Sequence, residues 1–378
     1  MRALIVMLGF LMLLTGCEPG GPPPSGIGPQ PAPGEAGREV RVSLFRASGL
    51  GSDWEPVGRE RIAYDQKGKD GYYDIFLADA DGGRVVCLTD RNPALPGRHM
   101  GAPAWHPEGR YLLFVAEKKK HPGGSFEAIP GFGGYSDLWV MTPDGQKAWP
   151  LTDVPNDYDH GVLPAHFSPD GKRIAWSSRV KRPNFLDPKG LFAMWEIKVA
   201  DFVESPDGPK LANILTLRPG PESFYEVSGF STDGQRLVIC SSVNQPSVWT
   251  QQIFTLDART GRGLVQLTSE GYNEHPVYTP DGRHIVWMSS VGNANHGADW
   301  WIMRADGTGK ERLTWFNRPG HLHYEKKPRY TGLVSFKRDG SRFVGGMVLD
   351  LFTQEGKIVL VDLPKEYWSR PAEAPPRP

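Results

Sequence analysis

The stretch "HFSPDGKRIAWSS", residues 166–178, decides the fold because it occurs five times in altered form. Its echoes are "WHPEGRYLLFVAE" (105–117), "FSTDGQRLVICSS" (230–242), "YTPDGRHIVWMSS" (278–290) and "FKRDGSRFVGGMV" (336–348). An acidic residue followed by Gly supplies the positive φ of a tight hairpin, and Pro ahead of the pair presets the turn. The strand after each turn ("RIAW", "RLVIC", "HIVWM", "YLLF") is apolar without alternation, so both of its faces must be covered.

The turn glycines Gly109, Gly171, Gly234, Gly282 and Gly340 are separated by 62, 63, 48 and 58 residues. The first four are each followed by an aromatic-rich strand of the type "SDLWVM" or "DWWIM" and then by a closing Leu-Thr pair at Thr152, Thr216, Thr268 or Thr314, and Thr89 closes the unit ahead of Gly109. A small sheet repeated around an axis and packed between two neighbours meets the demand for two covered faces. The chain therefore reads as all-β, a six-bladed β-propeller over residues 38–365. Its first unit has a degenerate turn, "EPVGRER", and its last lacks an outer strand. The N-terminal segment "REVRVSLF" (38–45), with Val40, Val42 and Leu44 alternating, is expected to supply that strand and close the ring.

Residues outside the repeats point to the cell envelope. Arg2 precedes an apolar run from Ala3 to Leu14 that is too short to span a bilayer and reads as a secretory signal, residues 1–16. Its end, Leu14-Thr15-Gly16-Cys17, resembles the lipobox of bacterial lipoproteins. That resemblance implies a chain starting at Cys17, acylated there, and anchored to a membrane outside the cytoplasm. Residues 17–37, almost all Pro, Gly and small polar residues, read as a tether, and residues 366–378 as a disordered tail. Cys87 and Cys240 fall in separate repeats, within apolar runs, and are expected to be buried reduced thiols.

Lys plus Arg and Asp plus Glu number 43 each, which gives no reason to expect nucleic acid as a partner. Local charge is another matter. Sorting residues by the loop they occupy places seven of the ten histidines at one end of the ring: His99, His160, His275, His321 and His323 beside the channel, and His121 and His296 further out. Arg98, Arg179, Arg182, Arg318 and Lys326 share that end, as do the longest loops. A face decorated this way, opposite short turns, predicts a binding surface for a protein, a glycan or an envelope polymer.

The repeat "SPDGKRIAWSS", with a "DLWVM" strand and a closing "LT", resembles the PD40 or TolB-type WD40-like repeat across nearly all of residues 40–363. The resemblance implies a propeller and says little of activity. Propeller-bearing peptidases of the prolyl oligopeptidase type join theirs to a hydrolase domain, and no G-x-S-x-G elbow occurs here. The expected role is thus a non-catalytic binding scaffold without a cofactor.

The segment "GHLHYE" (320–325) carries the rival reading. If extended, it presents His321 and His323 on one side, with His275 from the preceding repeat as a third nitrogen ligand for a divalent transition metal. This is similar to the oligogalacturonate lyases, in which an H-x-H pair, a further histidine and a glutamine hold manganese. The similarity implies a metal that acidifies a uronate C–H and a histidine such as His99 or His160 that takes the proton. Here "NRPG" stands where that glutamine would precede His321.

Overall fold

A computed structural model describes residues 40–368 apart from 91, 122–124 and 352. The signal segment, Cys17, the tether and residues 369–378 lie outside the described residues. Six antiparallel sheets follow one another along the chain. Blade 1 runs Ser52–Trp54, Arg61–Lys67, Tyr73–Asp79, Val86–Cys87; blade 2 runs Met100–Trp105, Leu112–Glu117, Ser136–Met141, Ala148–Pro150. Blade 3 has its inner strand split into Gly161–Val162 and His166–Phe167, followed by Arg173–Lys181, Met194–Val203 and Lys210–Leu217. Blade 4 comprises Tyr225–Phe230, Arg236–Ser241, Gln252–Asp257, Val265–Gln266, and blade 5 Asn273–Tyr278, His284–Ser289, Asp299–Arg304, Glu311–Arg312. Blade 6 holds Tyr330–Phe336, Arg342–Asp350 and Glu355–Asp362, with Arg41–Arg46 antiparallel to the last.

Each recurring phrase now has a structural job. In every "xDG" hairpin the residue three before the glycine bonds across the turn, as Ser168 does by donating to the Arg173 carbonyl at 2.8 Å and accepting from Gly171 at 2.8 Å. Gly171 sits at φ 69°, and a Cβ there would fall 2.3 Å from His106 Nε2 of blade 2. The glycine is thus required by its backbone conformation and by the blade packed against it. The closing threonines tie the outer edge to the third strand. Thr89 Oγ1 accepts from Ile75 N at 3.0 Å and donates to Asp74 at 2.7 Å, and Thr152 repeats this with Leu138 and Asp137, both at 2.9 Å. A bond of this kind contributes about 1 kcal/mol.

Apolar clusters fill the wedges between blades, with Trp287 and Trp300 among the largest fully buried side chains. The ring closes where blade 6 meets blade 1, through Trp54 N donating to Ser335 Oγ at 2.9 Å. Two boundaries differ from the sequence reading. The strand at 41–46 changes register between Leu44 and Arg46, so Leu44 turns outward and Phe45 inward, and the expected alternation stops at Val42. The folded part also continues past 365: Tyr367 is buried and donates its hydroxyl to Glu311 at 2.7 Å, and Trp368 packs on the same cluster. Cys87 and Cys240 are free, the first half-buried and the second buried.

Candidate functional site

Loops that enter the inner strands and loops that join the second and third strands open at one end of the ring. The long segments 118–121 with 125–135, 182–193 and 313–329 all lie there. The structure divides the residues expected on this face into two groups. Arg182 is exposed and paired with Asp159 at 2.6 Å, whose carboxyl it holds well below the usual range. His160 is half-exposed, its Nδ1 2.7 Å from Asp157. His296 and Lys326 are exposed, and Arg318 lies 4.8 Å over the Trp315 ring.

Arg98, His99, His121 and Arg179 instead point inward. The first three converge on Glu117, a fully buried carboxylate at the end of a blade 2 strand. Its Oε1 accepts from Ser125 Oγ at 2.6 Å and lies 2.8 Å from His121 Nδ1 and 3.5 Å from Arg98; Oε2 accepts from His99 N at 3.2 Å. His121 stacks on Tyr135, with ring centroids 4.8 Å apart. His99 accepts from Tyr73 N through Nδ1 at 3.1 Å, and burial brings its pKa down to about 4, with Lys67 adding to the effect. Arg179 is buried between Tyr158 and Trp195 and donates to the His160 carbonyl at 3.1 Å. These are load-sharing groups of the loop scaffold, because a buried charge persists only when paired and hydrogen-bonded.

The expected trio of metal-binding histidines does not gather. The "GHLHYE" segment forms turns, because His321 Nδ1 accepts from His323 N at 3.1 Å and folds the segment on itself. The two rings meet edge to face at 4.9 Å, with His323 buried against Phe316. His275 lies on the inner strand of blade 5, where a bulge sets it at φ 53° and its Nε2 stands 3.8 Å from Glu226.

Sequence reasoning passed over what lies around His275. Glu226, on the inner strand of blade 4, is in register with Cys240 on the next strand, and the thiol donates to its Oε2 at 3.2 Å. Glu274 neighbours His275, is buried, and accepts from Gln251 Nε2. Burial pushes Glu274 up to about 7, with His275 opposing and Glu226 reinforcing; burial and the two carboxylates push the Cys240 thiol well up. Among the described residues, Glu226, Cys240 and Glu274 form the single group of three or more His, Cys, Asp or Glu ligand atoms within 4.8 Å of one another. A signal was present in the sequence: both glutamates stand eight residues before the turn glycine of their repeat.

No family model matches the chain. An uncharacterised protein of Agrobacterium fabrum is 28% identical over 225 residues, which cover 58% of this chain and 61% of that protein. The Tol-Pal system protein TolB of Anaeromyxobacter dehalogenans is 29% identical over 166 residues, 32% of this chain and 37% of TolB. The folded chain is a TolB-like six-bladed propeller. This propeller matches less than two thirds of the length of either relative. Among solved structures it is similar to an oligogalacturonate lyase in complex with manganese, at TM-score 0.52 and 12% identity over 88% of this chain and 96% of the lyase. A puromycin hydrolase mutant matches at TM-score 0.50 and 20% identity, over 84% of this chain and 44% of the hydrolase. These likenesses show the fold alone.

Proposed function

We propose that this TolB-like propeller is an extracytoplasmic scaffold of the cell envelope, lipid-anchored through Cys17, that binds a protein on its loop-rich end. One observation carries the reading. Of the large apolar side chains exposed on the described residues, Leu186 (96% exposed), Leu322 (72%), Phe126 and Tyr324 all sit on the long loops of that end. Phe126 belongs to blade 2 and Leu186 to blade 3, while Leu322 and Tyr324 stand across the channel mouth between blades 5 and 6. Exposed apolar anchors rimmed by cations, here Lys181, Arg182, Lys326 and Lys327, have the composition of a protein-recognition surface and not of solvated loops. Of the rest, Leu44, Val86, Ile214, Leu215 and Val265 lie on outer strands at blade edges, and Val57, Val85 and Val203 on turns or strand ends.

The similarity to the TolB of the Tol-Pal system supports a place in the envelope and a protein as the bound species. A photo-crosslinking residue placed at 186 and at 322 in the producing cell is expected to capture the same partner, which Leu186→Asp with Leu322→Asp removes. Equal capture from position 214 or 265, or capture unchanged by the double variant, would refute a loop-end binding face.

A further inference from the structure

The channel wall holds a cluster that the binding face does not use. We propose that Glu226, Cys240, Glu274 and His275 form a site for one borderline divalent cation of the zinc class, between the inner strands of blades 4 and 5. The inference is independent of what the loop end binds.

Three ligand atoms from Glu226, Cys240 and Glu274 already lie within 4.8 Å of one another, close enough for small side-chain rotations to bring them onto one four-coordinate cation. His275 stands at the edge of this trio, outside its mutual spacing but with its Nε2 3.8 Å from Glu226 Oε1, so that a small side-chain rotation would bring it in as the fourth ligand. The set comes from strands and not from mobile loops. Glu226 and Cys240 are fixed as register partners, and the bulge at His275 re-aims a residue of the neighbouring strand toward them.

Charge and hydrogen bonding point the same way. Among the described residues no Lys or Arg pairs with Glu226 or Glu274, and His275 is the only basic group within reach. Gln251 is fully buried and gives its amide N–H to Glu274, yet its Oε1 has no hydrogen-bond partner, and His275 Nδ1 is also without one. An orphaned buried acceptor beside two carboxylates is costly unless a cation or its bound water supplies the missing positive partner. The donor types select the ion. Thiolate and imidazole suit zinc, cobalt or nickel and are poor ligands for calcium or magnesium.

Binding exchanges the Cys240 S–H bond for a metal–sulfur bond and releases that proton to solvent, so the thiol now bonded to Glu226 becomes the thiolate ligand. No electron transfer is involved. The site differs from the His321–His323 arrangement suggested by the sequence, and neither of those side chains is needed.

Cobalt(II) provides the test, because thiolate ligation produces a ligand-to-metal charge-transfer band. The full chain carrying Cys17→Ser and Cys87→Ser, so that Cys240 is the sole thiol, should develop this band, saturating at one cobalt per chain and lost on adding one equivalent of zinc. Cys240→Ser should abolish it. Glu226→Gln and Glu274→Gln, which keep shape and volume, should each weaken cobalt affinity at least tenfold while the far-ultraviolet circular dichroism stays unchanged. Absence of the band in the folded single-thiol chain would overturn the site, and so would an affinity that neither glutamine variant moves.

Discussion

Two buried carboxylate clusters sit at the same end of this ring and are built on opposite principles. Around Glu117, in blade 2, every oxygen is answered: Ser125, Arg98, His121 and the His99 amide converge on one negative charge. Around Glu226 and Glu274, between blades 4 and 5, two carboxylates and a thiol share one imidazole, and Glu274 is answered by the neutral side chains of Gln251 and Tyr272 in place of a cation. The first cluster is complete within the protein and braces the loops. The second carries more negative charge than it answers, and the proposed cation would supply the balance. Burial of charge therefore does not mark a functional site by itself; the balance of the charge does.

The comparison breaks most visibly at Glu117. Replacing it with Ala leaves Arg98 and His121 facing a buried void, and a loss of about 3–5 kcal/mol in unfolding free energy is expected, read by chemical denaturation. A change below about 1 kcal/mol would remove the bracing role. Next comes the pH response of the same cluster. His99 is held neutral by burial, with a folded pKa of about 4, below the 6.5 of an unconstrained histidine. The unfolded chain binds this proton more readily, so stability falls as pH drops from 6.5 toward 4, by up to about 2–3 kcal/mol from this residue. His99→Asn keeps an acceptor for Tyr73 N and should flatten that slope in melting curves taken across the window.

At the other cluster the sign reverses. Glu274→Gln removes one of two neighbouring buried acids while keeping a partner for Gln251, so the metal-free chain should gain about 1–2 kcal/mol at pH 8. Destabilisation by the same change would mean that the carboxylates are already balanced. The smallest effect is expected on the binding face, where Leu186→Asp with Leu322→Asp should leave the melting curve within about 0.5 kcal/mol of the parent.

The fold was legible because its signals are local. A glycine at φ near 70° in the five recurring turns, and a threonine that ties down the outer edge of blades 1, 2, 4 and 5, leave marks on single short stretches. Even the strand at 41–46 could be read, although the bulge that exposes Leu44 could not, since an extra residue in one strand alters facing without altering composition. The site was much less legible. His99, His121 and Arg98 were placed at the correct end of the ring, but which way a loop side chain points depends on Glu117, a residue that looks in sequence like the start of a solvated basic run. His321 and His323 are adjacent as expected, yet the bond from His323 N to His321 Nδ1 makes a turn in place of an extended segment. The Glu226–Cys240–Glu274 group needed cross-strand register and the neighbour relation of two blades, which no single stretch encodes.

Zinc content tests the contrast between the two clusters most directly. After equilibration with excess zinc and removal of the unbound ion, elemental analysis should find one zinc per chain in the parent and in His121→Gln, and none in Cys240→Ser combined with Glu274→Gln. Equal zinc in the parent and that double variant, or loss of zinc in His121→Gln alone, would contradict the account.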